Sequence, residues 1–251
     1  NTIYKEALSF DGIKYCPPDF LRMAMYLELS RPFGDVSRWE KVLKRLTLLN
    51  KHYPLNSEDC FENVFKREFN PKDKKTLTIY EIVRDSFVSQ GLVFFGGHAI
   101  NLYKAHMGKD YNTIMDKIPD FDVLSNQPKK AAQFLMERLK EKGVKHCSIK
   151  KHEPVGEVIA EHYEIRAGKQ PVGFIYKPLA CHSFNTIHIK GQKVKVATID
   201  TMLSLYLAFY YANKPYYDKE KIMCFSKMLF DVQKKNRLSQ KGVLRRFSIT
   251  C

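Results

Sequence analysis

The sequence predicts an α+β protein, with a small mixed sheet set between two mostly helical segments. Three observations point to this class. Apolar residues recur at helical spacing before residue 70 and again after Thr198. Between Gly91 and Ala197, short alternating or wholly apolar runs of strand length are punctuated by glycine and proline. The 251 residues are 44% hydrophobic and 27% charged, which excludes a disordered, collagenous or coiled-coil chain. The division this implies is a helical N-terminal domain over 1–75, a central domain over 76–197 and a C-terminal domain over 198–251. No apolar run approaches the roughly 20 residues a membrane helix needs. The chain opens at Asn1 and shows no cleavable signal pattern, so we expect a piece of a longer soluble protein.

The elements follow in order. Pro17-Pro18-Asp19 is a helix entry, and the apolar residues from Phe20 to Leu27 recur on one face. Arg31-Pro32-Phe33-Gly34 breaks that helix. Asp35 or Ser37 can cap the next, in which Trp39, Val42, Leu43, Leu46 and Leu49 fall at i, i+3, i+4, i+7 spacing. A third helix is expected from Glu58 to Phe69, then an exposed linker at Asn70-Pro71-Lys72-Asp73-Lys74-Lys75. Ile79 to Val88 reads as a helix. Leu92 to Phe95 reads as a buried strand, Gly96-Gly97 follows at once, and a helix is expected from His98 to Met107. Asp120 to Ser125 alternates in polarity like a strand. Pro128 to Lys142 is an amphipathic helix stopped by Gly143. Val144–Lys151, Val158–Ile165, Pro171–Tyr176 and Lys193–Ala197 are strand candidates, with the second and third forming a hairpin. Helices return after Thr198.

Lys and Arg total 42 against 27 Asp and Glu, a formal +15, and such a field concentrates polyanions near the surface. From Thr201 to Cys251 ten basic residues face three acidic ones. A solvated basic helix face would explain an isolated run, but the chain-wide excess favours RNA, DNA or a nucleotide as partner. The six cysteines show no CxxC spacing and no nearby His pair, so neither a zinc site nor a disulfide framework is expected. A reducing, intracellular setting is the simplest inference.

One constellation carries chemistry. Two glycines after a buried strand let backbone N–H groups approach a phosphate, and the following helix aims its positive end there. Asp120 and Asp122, at i and i+2 on a strand, present both carboxylates on one face while Phe121 points into the core. Paired carboxylates are costly to keep ionised unless a cation joins them. Hard oxygen ligands suit Mg²⁺ or Mn²⁺, which also holds nucleotide phosphates. Gly-Gly alone marks a turn and Asp-x-Asp alone marks a loop or cap. Their order, with Asp120 lying 23 residues after Gly97, is more specific.

That order resembles the polymerase β-like nucleotidyltransferases. Phe94-Phe95-Gly96-Gly97-His98-Ala99-Ile100-Asn101-Leu102-Tyr103, followed by Asp120-Phe121-Asp122-Val123-Leu124-Ser125, is similar to the catalytic core of poly(A) polymerases of large DNA viruses, of poxvirus, giant-virus and African swine fever virus type. Ser30 to Leu46 and Arg246 to Cys251 also resemble that family. The resemblance implies that the central domain is a nucleotidyltransferase domain and that AMP passes from ATP to an RNA 3′ end with two divalent ions. Asp120 and Asp122 would hold the metals, and Gly96 and Gly97 the triphosphate. It further implies an incomplete C-terminal domain, a host-cytoplasmic or virion setting, no membrane partner, and association with a second copy or a viral subunit.

One departure stands out. The family's third carboxylate falls in a Pro-Val-x-Asp-Ile-like stretch, and the match here, Pro171-Val172-Gly173-Phe174-Ile175, places Phe174 at that position. Glu157, Glu161, Glu164 or Asp200 can serve instead, although Asp200 is expected to cap a helix. Alternatively the site lacks the acid and the chain is a non-catalytic RNA-binding or dimerising subunit. Lys104, Lys129, Lys130, Lys234, Lys235, Arg237, Arg245 and Arg246 are candidate phosphate contacts. Tyr206, Tyr210, Tyr211, Tyr216 and Tyr217 are candidate base-stacking residues, each with an ordinary packing role as the alternative.

Overall fold

Proline opens the first long helix. Pro18 stands in the first turn of α2 (Pro18–Leu29), where its missing N–H is not needed. The structure, a computed structural model, describes residues 2–56, 60, 74–107 and 121–251. Ahead of α2 lie a short helix α1 (Thr2–Lys5) and an antiparallel hairpin of β1 (Leu8–Phe10) and β2 (Ile13–Tyr15). Its turn is Asp11-Gly12, with both φ angles positive, as the twist of a two-residue hairpin demands. Asp35, accepting from Ser37 N at 3.2 Å, caps a 3₁₀ turn that runs into α3 (Trp39–His52). The buried Arg22 guanidinium ties α2 to α3 by bonds to Asn50 Oδ1 (2.9 Å), Tyr53 O and Asp19. The expected helix over Glu58–Phe69 and the linker over Asn70–Asp73 fall outside the described residues, Cys60 excepted. α4 (Lys74–Ser89) begins earlier than Ile79, where apolar periodicity becomes evident.

Seven strands form one mixed sheet in the order β5-β6-β7-β4-β3-β9-β8. They are β3 (Val93–Phe94), β4 (Asp122–Leu124), β5 (Cys147–His152), β6 (His162–Ala167), β7 (Gln170–Tyr176), β8 (Phe184–Ile189) and β9 (Gln192–Ala197). β3 runs parallel to β9 and β4 parallel to β7; the other neighbours are antiparallel. The sheet is larger than expected. β8 was not anticipated, and it pairs with β9 through a Lys190-Gly191 turn whose two residues both take positive φ.

One face of the sheet carries Val123, Ile165 and Ile175 and packs on α4 and α6 (Pro128–Glu141). Gly173 lets β7 lie close beneath α4, since a Cβ there would come within 3.1 Å of the Phe87 ring. The other face meets α7 (Ile199–Ala212), whose Phe209 ring lies 6.1 Å from Phe95 and 5.3 Å from Tyr176. α7 in turn packs between α2 and α8 (Lys219–Lys235). The final residues run beside β8. Ser248 Oγ donates to Phe184 O at 2.7 Å, and Phe184 N donates to Thr250 O at 3.0 Å.

Two disulfides, Cys60–Cys224 and Cys181–Cys251, correct the expectation drawn from cysteine spacing. Their partners are 164 and 70 residues apart, so local spacing carries no trace of them. Among the described residues no helix is long and apolar enough to cross a membrane.

Candidate active site

β3, an interior strand, delivers the chain to Gly96 at its C-terminal end, and the antiparallel β4 begins beside it with Asp122. The N–H groups of Phe95 and Gly96 both donate to Asp122 O, at 2.9 and 3.3 Å. The Asp122 side chain lies directly against the Gly96 backbone. A Cβ on residue 96 would stand 2.0 Å from Asp122 Oδ2 and 2.6 Å from its Cγ. Backbone freedom is not the reason for glycine here, because φ is −83°, open to any residue. The requirement is space, and the carboxylate fills it. Gly96, Gly97 and Asp122 are thus brought together; Asp120 lies outside the described residues.

The helix after the glycines is shorter than expected. α5 (Gly97–Asn101) has five residues and gives way to a 3₁₀ turn at Lys104–His106. Its first intrahelical bond runs from Ile100 N to Gly96 O at 3.1 Å, so the N–H groups of Gly97, His98 and Ala99 precede any intrahelical acceptor. A helix this short adds little macrodipole. Anion binding at the bend would rest on these N–H groups. The His98 ring turns away to Tyr80, with Nδ1 and the hydroxyl oxygen 3.1 Å apart, and burial lowers its pKa to about 4.

Register settles where the third-acid candidates sit. Asp122 pairs with Phe174 on β7, and Phe174 pairs with Glu164 on β6, so the three share one face. Adjacent strands lie ~4.8 Å apart, which puts Glu164 roughly 10 Å from Asp122 with Phe174 between them. Glu164 is buried and engaged, with Oε2 2.8 Å from His152 Nε2 and Oε1 3.3 Å from Arg166 Nη1. Glu161 lies 3.5 Å from Lys151 Nζ, and Glu157 is exposed between β5 and β6. Asp200 is not a cap. Thr198 caps α7, and Asp200, wholly buried, takes a bidentate guanidinium from Arg246 at 2.8–3.0 Å and a bond from Gln233. Burial pushes its carboxyl upward while Arg246 pulls it down.

Sequence reasoning missed a stack of rings on the face that carries Asp122. His152 and His162 are parallel at 4.7 Å, His162 and Tyr176 nearly so at 4.4 Å, and Tyr216 leans on both histidines. Burial lowers the His162 pKa to about 4, so the ring is neutral. Its Nδ1 lies 3.3 Å from Ala160 O, and its Nε2 is buried without a hydrogen-bond partner. Burial also raises the Tyr176 pKa well above its ordinary value, with Tyr217 and Asp122 adding to the effect. Only pairing across β5, β6 and β7 aligns these rings, so linear spacing holds no signal for them.

The basic and aromatic candidates separate. Lys129, Lys130, Lys234, Lys235, Arg237 and Arg245 are exposed, whereas Arg246 is committed to Asp200. Tyr206 is buried and donates to Phe95 O, and Tyr210 donates to Glu6. Tyr211 packs edge-on against Phe20, and Tyr217 stacks on Phe209. Tyr216 alone of the five is exposed. A divalent cation fits the donor chemistry of the bend, since the Asp122 carboxylate is half-buried and offers hard oxygen atoms. Among the described residues no group of three metal-binding side chains is present.

No family model and no curated protein matches the chain. Among solved structures it is similar to the crystal structure of the Megavirus polyadenylate synthase, with a TM-score of 0.77 and 18% sequence identity. The likeness covers 98% of this chain and 52% of that one, so the chain spans about half the length of the protein it matches. At this identity the likeness speaks of architecture. The chain has a viral poly(A) polymerase-like fold.

Proposed function

We propose that this chain carries the nucleotidyltransferase part of a template-independent enzyme that adds AMP from ATP to RNA 3′ ends. Residues 76–197 would form the catalytic domain, flanked by the segments 1–75 and 198–251. The observation that carries this reading is the Asp122 carboxylate seated where a Gly96 side chain would otherwise be, at the strand-to-helix bend. The first-turn N–H groups after Gly96 would hold the triphosphate, with Gly97 leaving the approach open. Asp122, with Asp120, would hold Mg²⁺ or Mn²⁺, which supplies charge neutralisation on the phosphates. The RNA 3′-hydroxyl would attack the α-phosphorus as pyrophosphate leaves. Lys234, Lys235, Arg237 and Arg245 would track the strand without reading its sequence. The test is extension of an oligo(A) primer with ATP and Mn²⁺ or Mg²⁺, by this chain and by a longer form. Extension lost in Asp122→Ala supports the reading; extension unchanged in that variant ends it.

Phe174 supports a second reading, a nucleotidyltransferase-fold subunit that binds RNA without catalysis. It occupies the register position beside Asp122 where an acid is expected. Under this reading the wild-type chain binds primer without lengthening it, and Phe174→Asp brings extension into being. Under the first reading the same substitution at most accelerates an existing activity.

A further inference from the structure

A second polar site lies at the opposite end of β3 and β4. A cavity of about 650 Å³ opens beside Val93 and Leu124, the strand ends furthest from Gly96 and Asp122. That is nucleotide-sized. Its lining is divided. Leu92, Val93, Leu124 and Phe184 form an apolar wall, while Lys130 and Lys195 supply ammonium groups; among the described residues no Asp or Glu side chain lines it. Lys195 Nζ lies 5.2 Å from the centre of the Phe184 ring, joining the two halves.

The local sequence is arranged against ordinary helix electrostatics. α6 starts at this cavity with Pro128-Lys129-Lys130, has no acidic residue in its first turn, and takes no side-chain cap from Gln127. Two lysines at the positive end of a 14-residue helix are unfavourable unless an anion sits near them. His182, 6% exposed, lines the cavity with one hydrogen bond, Nδ1 to Ser30 Oγ at 3.5 Å.

We propose that this cavity binds a nucleoside phosphate, either free or as one unit of a single strand. Lys130 and Lys195 hold the phosphate, and the Phe184 wall takes the base or sugar. The site is separate from the bend at Gly96 and does not depend on the chain being a polymerase.

The experiment is calorimetric titration with AMP in chelator, so that no divalent ion can recruit the nucleotide to Asp122. AMP is expected to bind one-to-one with a sub-millimolar Kd. Adenosine should bind at least tenfold more weakly. The double variant Lys130→Gln/Lys195→Gln should weaken AMP at least tenfold, and Asp122→Asn should leave it within twofold. Lys130 is exposed, so Lys130→Glu alone carries the test, with a fivefold loss or more, if the double variant fails to fold. Competition by oligo(A) assigns the site to a strand, and its absence assigns it to a free nucleotide. No AMP binding in chelator, equal binding by both lysine variants, or loss in Asp122→Asn would overturn the proposal. Primer extension is measured separately, so failure of the catalytic reading leaves this result intact.

Discussion

Two aspartates at the same end of the sheet show how one side chain is treated under different demands. Asp200 begins α7 and is wholly buried, with Arg246 and Gln233 matched to its oxygens. Asp122 begins β4, remains partly open to solvent, and rests against backbone from which a side chain has been removed. The first arrangement serves the fold, because a buried charge must be paired, and this pair anchors the closing segment to α7. The second keeps an acid reachable, at some cost in packing. The contrast also disposes of Asp200 as a third metal ligand, since freeing it would strip Arg246 of its only ion-pair partner among the described residues.

The sharpest way to break the comparison is a crossed pair of variants. Asp122→Asn should cut primer extension about 10³-fold or more, since charge stabilisation is usually the largest catalytic contribution. It should move the urea unfolding free energy by less than about 1 kcal/mol. Arg246→Ala should do the reverse, costing about 3–5 kcal/mol of stability because it leaves Asp200 buried without its counter-ion. A large unfolding effect at Asp122 and a small one at Arg246 would erase the distinction.

Much of this contrast could not be read along the chain. The bend itself was legible, because an apolar run ending in Gly96-Gly97 and an acid-bearing strand are local patterns. The Asp11-Gly12 hairpin signal is equally local, but the helical reading of this region rests on the proline entry to α2 and passes over it. β8 alternates in Phe184–Ile189, but the strand is recognisable only with its Lys190-Gly191 turn and its partner β9. The role of Arg246 was misread. Beside Arg245 it looks like a phosphate contact, and only tertiary packing brings Asp200, 46 residues earlier, to within 2.8 Å. The alignment of Phe174 with Asp122, and of Glu164 beyond it, is likewise a matter of register.

Gly96 offers a finer cut. An alanine methyl would overlap Asp122 Oδ2, while the backbone at 96 is already one that alanine adopts. Gly96→Ala should therefore act through displacement of the carboxylate. The expected loss is about 1–3 kcal/mol of stability, typical of an overpacked site. Displacing the acid by even ~1 Å should cost about 10² in extension rate. Adding Asp122→Gly should restore the stability and leave activity absent. If the double variant stays as unstable as Gly96→Ala, the clash lies elsewhere and the tie between bend and acid fails.

The smallest effect compares two buried histidines, one in the ring stack and one in the cavity beside Val93 and Leu124. His162 lies on the face that carries Asp122, and His182 lines the far cavity; burial lowers both to about 4 from 6.5. Below pH 6.5 the unfolded chain takes up protons that these rings refuse. Stability should therefore be flat above that pH and fall as pH drops toward 4. Each ring contributes at most about 1.4 kcal/mol per pH unit within that window. The urea unfolding free energy, measured from pH 7.5 to 4.5, should fall about 1 kcal/mol per pH unit less steeply below pH 6.5 in His182→Gln, and by a similar amount less in His162→Gln. A slope that changes in one variant alone would show that only that ring is held neutral, and so that only its surroundings are closed to water.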